Sequence, residues 1–267
     1  MKQTINNQFR VITSSLRRLP DFIIIGAQKG GTSSMFSYLE QHPQLKLSIK
    51  KEIHFFDCNY LNSLNWYRSH FPLKWIHSNK KTGEASPYYL FHPLAAQRVF
   101  QHCPEVKIIV LLRNPVDRAY SHYMMQSKRK VDPLPTFEEA IAAEKDRLNG
   151  ELEKIISNPG YVSYNHQRLS YLSRGMYYQQ LTEWFKYFPI DQFLIIKSES
   201  FFENPQNELL KVYKFLDINS RFPLDLSPDN TNTYSPMLEE TRISLNKYFK
   251  DENNKLSELL GGDFQWE

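Results

Sequence analysis

Cysteine is scarce. Cys58 and Cys103 are the two in 267 residues, which excludes a disulfide framework and makes a reducing compartment the default expectation. Apolar runs long enough to span a bilayer are missing. The first stretch, MKQTINNQFRVITSSLRRLP, is basic but lacks the apolar segment of a secretory signal. The expectation is a cytoplasmic protein with no stable membrane insertion. A strong excess of one charge is missing too. Lys and Arg number 33 against 29 Asp and Glu, a net charge of +4. That suits an anionic ligand but not the dense basic stripe of a nucleic-acid binder, so no nucleic-acid partner is expected. No repeat, low-complexity tract or linker divides the chain. It reads as a lead-in over residues 1–20 and one domain over 21–267.

What is present begins with FIIIGAQKGGTSS, Phe22 to Ser34. The Ile-rich run predicts a buried parallel strand ended by Gly26. Gly30 and Gly31 then precede Thr32, Ser33, Ser34 and a helical run from Met35. Strand, glycine turn and helix start make an anion cradle, because glycines admit close approach and the free amides and helix dipole favour negative charge. Lys29 adds a cation. The lysine precedes the glycine pair, whereas in G-x-x-x-x-G-K-[ST] it follows. The Lys-Ser/Thr pair that would hold a nucleotide with Mg²⁺ is therefore absent, and no metal is expected.

Further buried strands are predicted over Val106–Leu112 and Phe193–Lys197, with a strand running into a loop at Leu45, Leu47 and Ile49. GEASPYYL reads as a short extended piece. Helices are predicted over 61–77, 94–102, Asn114-Pro115 to about Lys130, Thr136 to about Leu148 behind a capping box with Glu139, from 173 through Phe188, and over NPQNELLKVYKFL. Residues 149–173 read as irregular, and two helices near 237–249 and 254–260 end the chain. Strands alternating with helices predict an α/β fold, a mostly parallel sheet flanked by helices.

Two further clusters carry chemistry. Arg113 ends the second strong strand, where open α/β sheets place ligands. Ser121 follows about two helical turns on, roughly 9 Å of rise, and an arginine fork with a hydroxyl makes a phosphate clamp. In KKEIHFFD, Glu52 and His54 alternate with apolar neighbours. A carboxylate shielded by aromatic rings has its pKa raised toward that of a general base, and histidine titrates nearby. Each cluster alone also fits an ordinary structural role.

Taken in order, GAQKGGTSS, KKEIHFFD, GEASPYY, LLRNPVDRAYSHY and RGMYYQQLTEWFKYFP resemble the PAPS-dependent sulfotransferases, above all the heparan-sulfate N- and 3-O-sulfotransferase branch and its bacterial relatives. The likeness runs from about Asp21 to Trp266. It implies a P-loop-NTPase-like fold and 3′-phosphoadenosine 5′-phosphosulfate (PAPS) as sulfuryl donor. Lys29 would neutralise the leaving phosphate oxygen, and amides around Gly30, Gly31, Thr32, Ser33 and Ser34 would hold the 5′-phosphate. Arg113 and Ser121 would take the 3′-phosphate. Glu52 would be the base, with His54 and Asp57 beside it.

Two departures stand out. Many heparan-sulfate enzymes carry a lysine after the glutamate of the third block, where this chain has Ala85; Glu84 and Ser86 remain as pocket candidates, and Asp57 and Tyr88 would shape the acceptor pocket. The family's basic, glycine-containing loop near the C-terminus corresponds to DNTNTYSPM, without Lys, Gly or Cys. Asn232 and Thr233 would hydrogen-bond the donor there, with Arg174 supplying part of the lost charge. These departures, and the missing secretory signal, point first to a small-molecule acceptor such as a natural product in a tailoring pathway. A glycan or glycolipid is the alternative, and transfer to a hydroxyl is favoured over transfer to nitrogen. The competing classes are a Mg²⁺-dependent kinase or NTPase and a non-catalytic nucleotide-binding module. Oligomeric state is not read from the sequence.

Overall fold

The computed structural model describes residues 9–220, 225–226, 235–262 and 264–266. Four parallel strands, β1 Phe22–Gly26, β2 Gly83–Ala85, β3 Lys107–Leu112 and β4 Phe193–Lys197, form one sheet in the order β2-β1-β3-β4. Strands β1 and β3 read as unbroken apolar runs because both faces are covered, and side chains alternate between those faces. Ile23, Ile25, Ile108, Val110 and Leu112 pack in one cluster with Val99, Tyr177, Leu181 and Trp184. These come from helices α2 (Ala95–His102) and α4 (Tyr177–Phe185). On the opposite face, Phe22, Ile24, Ile109 and Leu111 meet Met35 and Leu39 of α1 (Thr32–Glu40) and Leu209, Val212 and Leu216 of α5 (Pro205–Leu216). Helix α3 (Pro115–Lys128) packs at the carboxyl end against Phe137, Tyr171 and Phe249, the last from α6 (Glu239–Leu260).

Several predicted boundaries hold for the predicted reasons. Pro115 occupies the first turn of α3, where Asn114 caps the amides of Val116 and Asp117. Thr136 and Glu139 make a reciprocal capping box at 3.2 and 3.3 Å, although its helix divides into Phe137–Ala142 and Glu144–Leu148.

Others are corrected. The helix expected over 61–77 is a single turn and a half, Leu64–Arg68, capped by Ser63 and followed by Pro72 and a bridge from Leu73 to Arg17. The strand expected at Leu45–Ile49 is an extended edge beside β2. The amides of Lys46 and Ser48 donate to the carbonyls of Lys81 and Gly83, and one isolated bridge joins Leu45 to Lys81. Residues 149–173 contain helices Glu151–Ser157 and Tyr164–Arg168, the second capped by Ser163. Ser198–Glu203 adds a further short helix after β4. The two final helices are one, α6, because the polar run between them has an exposed face that a continuous helix tolerates.

Candidate active site

The chain runs from β1 to β2 on one side and later to β3 on the other, so β1 is the switch point at whose carboxyl end an open α/β sheet opens a crevice. Three loops meet this edge side by side. The middle one is the glycine loop. Gly30 lies so close to β3 that a Cβ there would sit 2.7 Å from the Leu111 carbonyl oxygen. Gly31, at φ 95°, caps α1 in the left-handed region without a side-chain hydrogen bond. The first-turn amides of α1 have no carbonyl of their own helix to bond, which leaves them for an anion. The Gly30 amide is the exception to the expectation for this loop. It donates to the Ala27 carbonyl at 2.9 Å, closing the turn rather than facing outward.

Lys29 sits at φ 71° and is half-buried. Burial first, and then the Arg113 and Arg129 charges, push its ammonium below the ordinary lysine range. This is the electrostatics of a pocket short of negative charge. Arg113, at the carboxyl end of β3, reaches back to donate to the Lys29 carbonyl at 3.2 Å. Its guanidinium carbon lies 5.8 Å from the Phe202 ring centre. Ser121 is buried on α3.

On the β2 side runs the loop of Glu52 and His54. The Glu52 amide donates to the Ala85 carbonyl at 2.9 Å, fastening the loop to the end of β2. Both residues are left-handed, at φ 61° and 56°. Glu52 Oε1 accepts from Lys51 Nζ at 2.7 Å, and Oε2 lies 3.7 Å from His54 Nε2. His54 Nδ1 is 2.7 Å from Asp57 Oδ2. The proximity of His54, opposed by burial and reinforced by Lys51, holds the Glu52 carboxyl at about 2. Burial alone would lower the His54 pKa, but Asp57 and Glu52 overcome it and raise the imidazole to about 9. The expectation of an upward-shifted Glu52 is thereby corrected. The aromatic neighbours Phe55 and Phe56 are turned into the core, and a cation rather than a ring faces the carboxylate. The same two carboxylates favour the charged imidazole of His54, which stands beside Glu52 as its charge partner.

Three pocket candidates are turned inward. Glu84 and Ser86 have no exposed surface. Glu84 accepts from Tyr67 Oη at 2.7 Å, Ser86 Oγ at 2.8 Å and Tyr89 Oη at 3.2 Å. Burial pushes its carboxyl up to about 7, partly offset by those hydroxyls. Tyr88 is buried with its hydroxyl 2.8 Å from His166 Nδ1. None of the three forms the wall of the crevice. Arg174 is also buried: its donors go to Ser170 Oγ, Gln28 Oε1 and the carbonyls of His166 and Gln167. It orients Gln28 of the glycine loop, and its charge is not presented to a ligand as expected. Asn232 and Thr233 lie outside the described residues.

His54, Asp57 and Cys58 bring possible metal-ligand atoms within 4.8 Å of one another. Within the protein these atoms already have partners: His54 Nδ1 meets Asp57 Oδ2 at 2.7 Å, and Gln167 Nε2 donates to Cys58 Sγ at 3.1 Å.

A family model described as Sulfotransferase domain matches residues 19–259. The chain belongs to the sulfotransferase family. This sulfotransferase is 30% identical over 96% of its length to "Membrane-associated sulfotransferase kil1" of Dictyostelium discoideum, of which it spans 68%. It is 28% identical over 95% of its length to human "Heparan sulfate glucosamine 3-O-sulfotransferase 3B1", of which it spans 66%. The crystal structure of a sulfotransferase from Alicyclobacillus acidocaldarius superposes with a TM-score of 0.76 at 29% identity, covering 92% of this chain and 97% of that one. The enzyme class and the α/β sulfotransferase fold follow. Among the described residues, no helix is long and apolar enough to cross a membrane.

Gln28, Tyr67 and Tyr89 belong to the site's support, a role that no local sequence signal marks. Tyr89 lay within the GEASPYY block, but nothing in that run marked its hydroxyl as a hydrogen-bond hub.

Proposed function

We propose that this sulfotransferase moves the sulfuryl group of PAPS to a hydroxyl of a saccharide acceptor. The observation that carries the reading is the adjacency, along one sheet edge, of the Glu52 loop, the Lys29 loop and Arg113 in the strand order β2-β1-β3. The acceptor oxygen attacks sulfur in line, and the bond from sulfur to the bridging phosphate oxygen breaks. That oxygen keeps the electron pair and is neutralised by Lys29, while first-turn amides of α1 hold the phosphate. Arg113 and Ser121 clamp the 3′-phosphate. The acceptor proton passes to Glu52.

A carboxylate held near 2 is a weak base for a free alcohol. As the oxygen–sulfur bond forms, however, the hydroxyl proton becomes strongly acidic, and an ionised, positioned carboxylate then suffices. A transferring group with less charge than a phosphoryl group needs less cation around it, so Lys29 serves at the leaving oxygen without a metal.

The relatives named for heparan sulfate move the acceptor from the small molecule first expected toward a saccharide, and their 3-O position favours oxygen over nitrogen. The test is incubation with PAPS and a panel of heparan-type oligosaccharides, simple phenols and amines, read by mass spectrometry. Sulfation of an oligosaccharide hydroxyl supports the reading. Sulfation confined to phenols or amines overturns the acceptor assignment, and no sulfation with any member under conditions where PAP binds overturns the activity.

A further inference from the structure

Glu52 and His54 occupy left-handed backbone, at φ 61° and 56°. Residues with a Cβ pay for that conformation and keep it only where surrounding contacts impose it. Glu52 is held by its own amide bond to the Ala85 carbonyl, and two side-chain hydroxyls hold the segment from His54 on. The His54 amide donates to Ser86 Oγ at 3.3 Å. The amides of Phe55 and Phe56 donate to Tyr89 Oη at 2.8 and 3.3 Å. Each hydroxyl spends its own proton on the same buried carboxyl, Glu84. A third donor, Tyr67 Oη, reaches Glu84 but bonds none of these loop amides. The carboxyl sits on β2, whose register with β1 is fixed by Ile23 opposite Glu84.

We propose that Glu84 is a positioning residue: through Ser86 and Tyr89 it clamps the backbone of residues 54–56 and so aims Glu52 and His54 into the crevice. The hydroxyls act as relays. A hydroxyl that donates to Glu84 has its lone pairs turned toward the loop, ready to accept amide protons, and in its ionised form, above about pH 7, the buried carboxylate accepts from both at once. An amide at position 84 breaks this polarity, because its NH₂ must donate where the carboxylate accepted. The catalytic consequence rests on the reading of Glu52 as base; the clamp itself does not.

The decisive experiment is amide hydrogen exchange on the full chain, resolved at residues 54, 55 and 56. In Glu84→Gln at least one arm is lost, and exchange in this segment rises roughly tenfold, the effect of one buried hydrogen bond. Ser86→Ala frees the His54 amide alone, and Tyr89→Phe frees Phe55 and Phe56 alone. Tyr67→Phe removes the donor outside the relays and leaves all three amides protected. The arm-specific variants retain the buried carboxylate, so they test the two hydroxyl arms even if Glu84→Gln folds poorly.

The functional readout is slow hydrolysis of PAPS to PAP and sulfate, with water in the acceptor's place and its proton going to Glu52. Ser86→Ala and Tyr89→Phe lower kcat roughly tenfold, with KM for PAPS and the affinity for PAP held within roughly threefold. Unchanged exchange at 54–56 in all three variants overturns the clamp. Faster exchange with unchanged kcat overturns the positioning role. Normal hydrolysis by Glu52→Gln removes the base assignment while the exchange pattern still judges the clamp.

Discussion

The His54 Nδ1 atom lies 2.7 Å from Asp57 Oδ2, while its Nε2 lies 3.7 Å from Glu52 Oε2. One imidazole therefore bridges two carboxylates, the first buried and the second half-exposed at the crevice. Arg98 fixes the far side by donating to the carbonyls of Phe56 and Asp57. The bridge favours the charged imidazole of His54 and the ionised carboxyl of Glu52.

Replacing Asp57 with Asn removes the principal group raising His54. Its titration, followed by the ring proton resonances, moves from about 9 toward the ordinary value near ~6.5. A folded pKa above the unfolded one gives stability that is complete below the unfolded value and is lost as pH rises through the folded one. The wild-type Tm therefore falls across the alkaline range up to about 9, and this part of the slope is reduced in Asp57→Asn. An unmoved His54 resonance would show that Asp57 does not hold the proton.

Glu52→Gln keeps the shape of the side chain and removes the proton acceptor. Turnover falls by roughly 10²–10⁴, while PAP binds within roughly threefold of wild type. Calorimetry and a rate assay on the same preparation separate the two effects, and normal turnover would take Glu52 out of the chemistry.

Lys29→Ala removes a charge from both the bound donor and the leaving oxygen. Affinity for PAP and kcat both fall, each roughly tenfold to a hundredfold, the range of a charge-assisted hydrogen bond. Unchanged kinetics would show that the loop holds its ligand through amides alone.

Gly30→Ala places a methyl group 2.7 Å from the backbone oxygen of Leu111, and backbone of the central strand has little room to yield. The loop shifts, PAP binding is lost, and Tm drops by several degrees, as expected for a clash of roughly 1–3 kcal/mol. Retained PAP affinity would mean the cradle tolerates displacement from β3.

The central fold was legible because β1, β3 and β4 are covered on both sides and so announce themselves as apolar runs, and because Asn114-Pro115 and Thr136 with Glu139 carry local capping chemistry. The edge was not. Leu45–Ile49 alternates like a strand, but its amides meet β2 only in part, a tertiary fact no periodicity encodes. Glu52, His54, Lys29 and Arg113 stand out in the sequence by motif and strand-end placement, and their loops meet at one end of the sheet. What failed was the environment: whether Glu52 faces a ring or a cation depends on a left-handed turn at positions 52 and 54, and the sequence places no glycine there to signal it. Glu84 and Arg174 are placed at the ligand by the family resemblance of their blocks, which says nothing of their burial. Their partners, Tyr67, Tyr89, Ser170 and Gln28, come from other parts of the chain and are brought together by folding.

The central claim is that the crevice at the end of β1 binds a 3′,5′-bisphosphorylated adenosine without a metal. Calorimetric titration with PAP, beside ATP with and without Mg²⁺, tests it most directly. The account predicts tight PAP binding unaffected by Mg²⁺ or chelator, with ATP much weaker under both conditions. Preferential binding of Mg²⁺-ATP, with PAP weak, would contradict it and return the glycine loop to metal-dependent nucleotide chemistry.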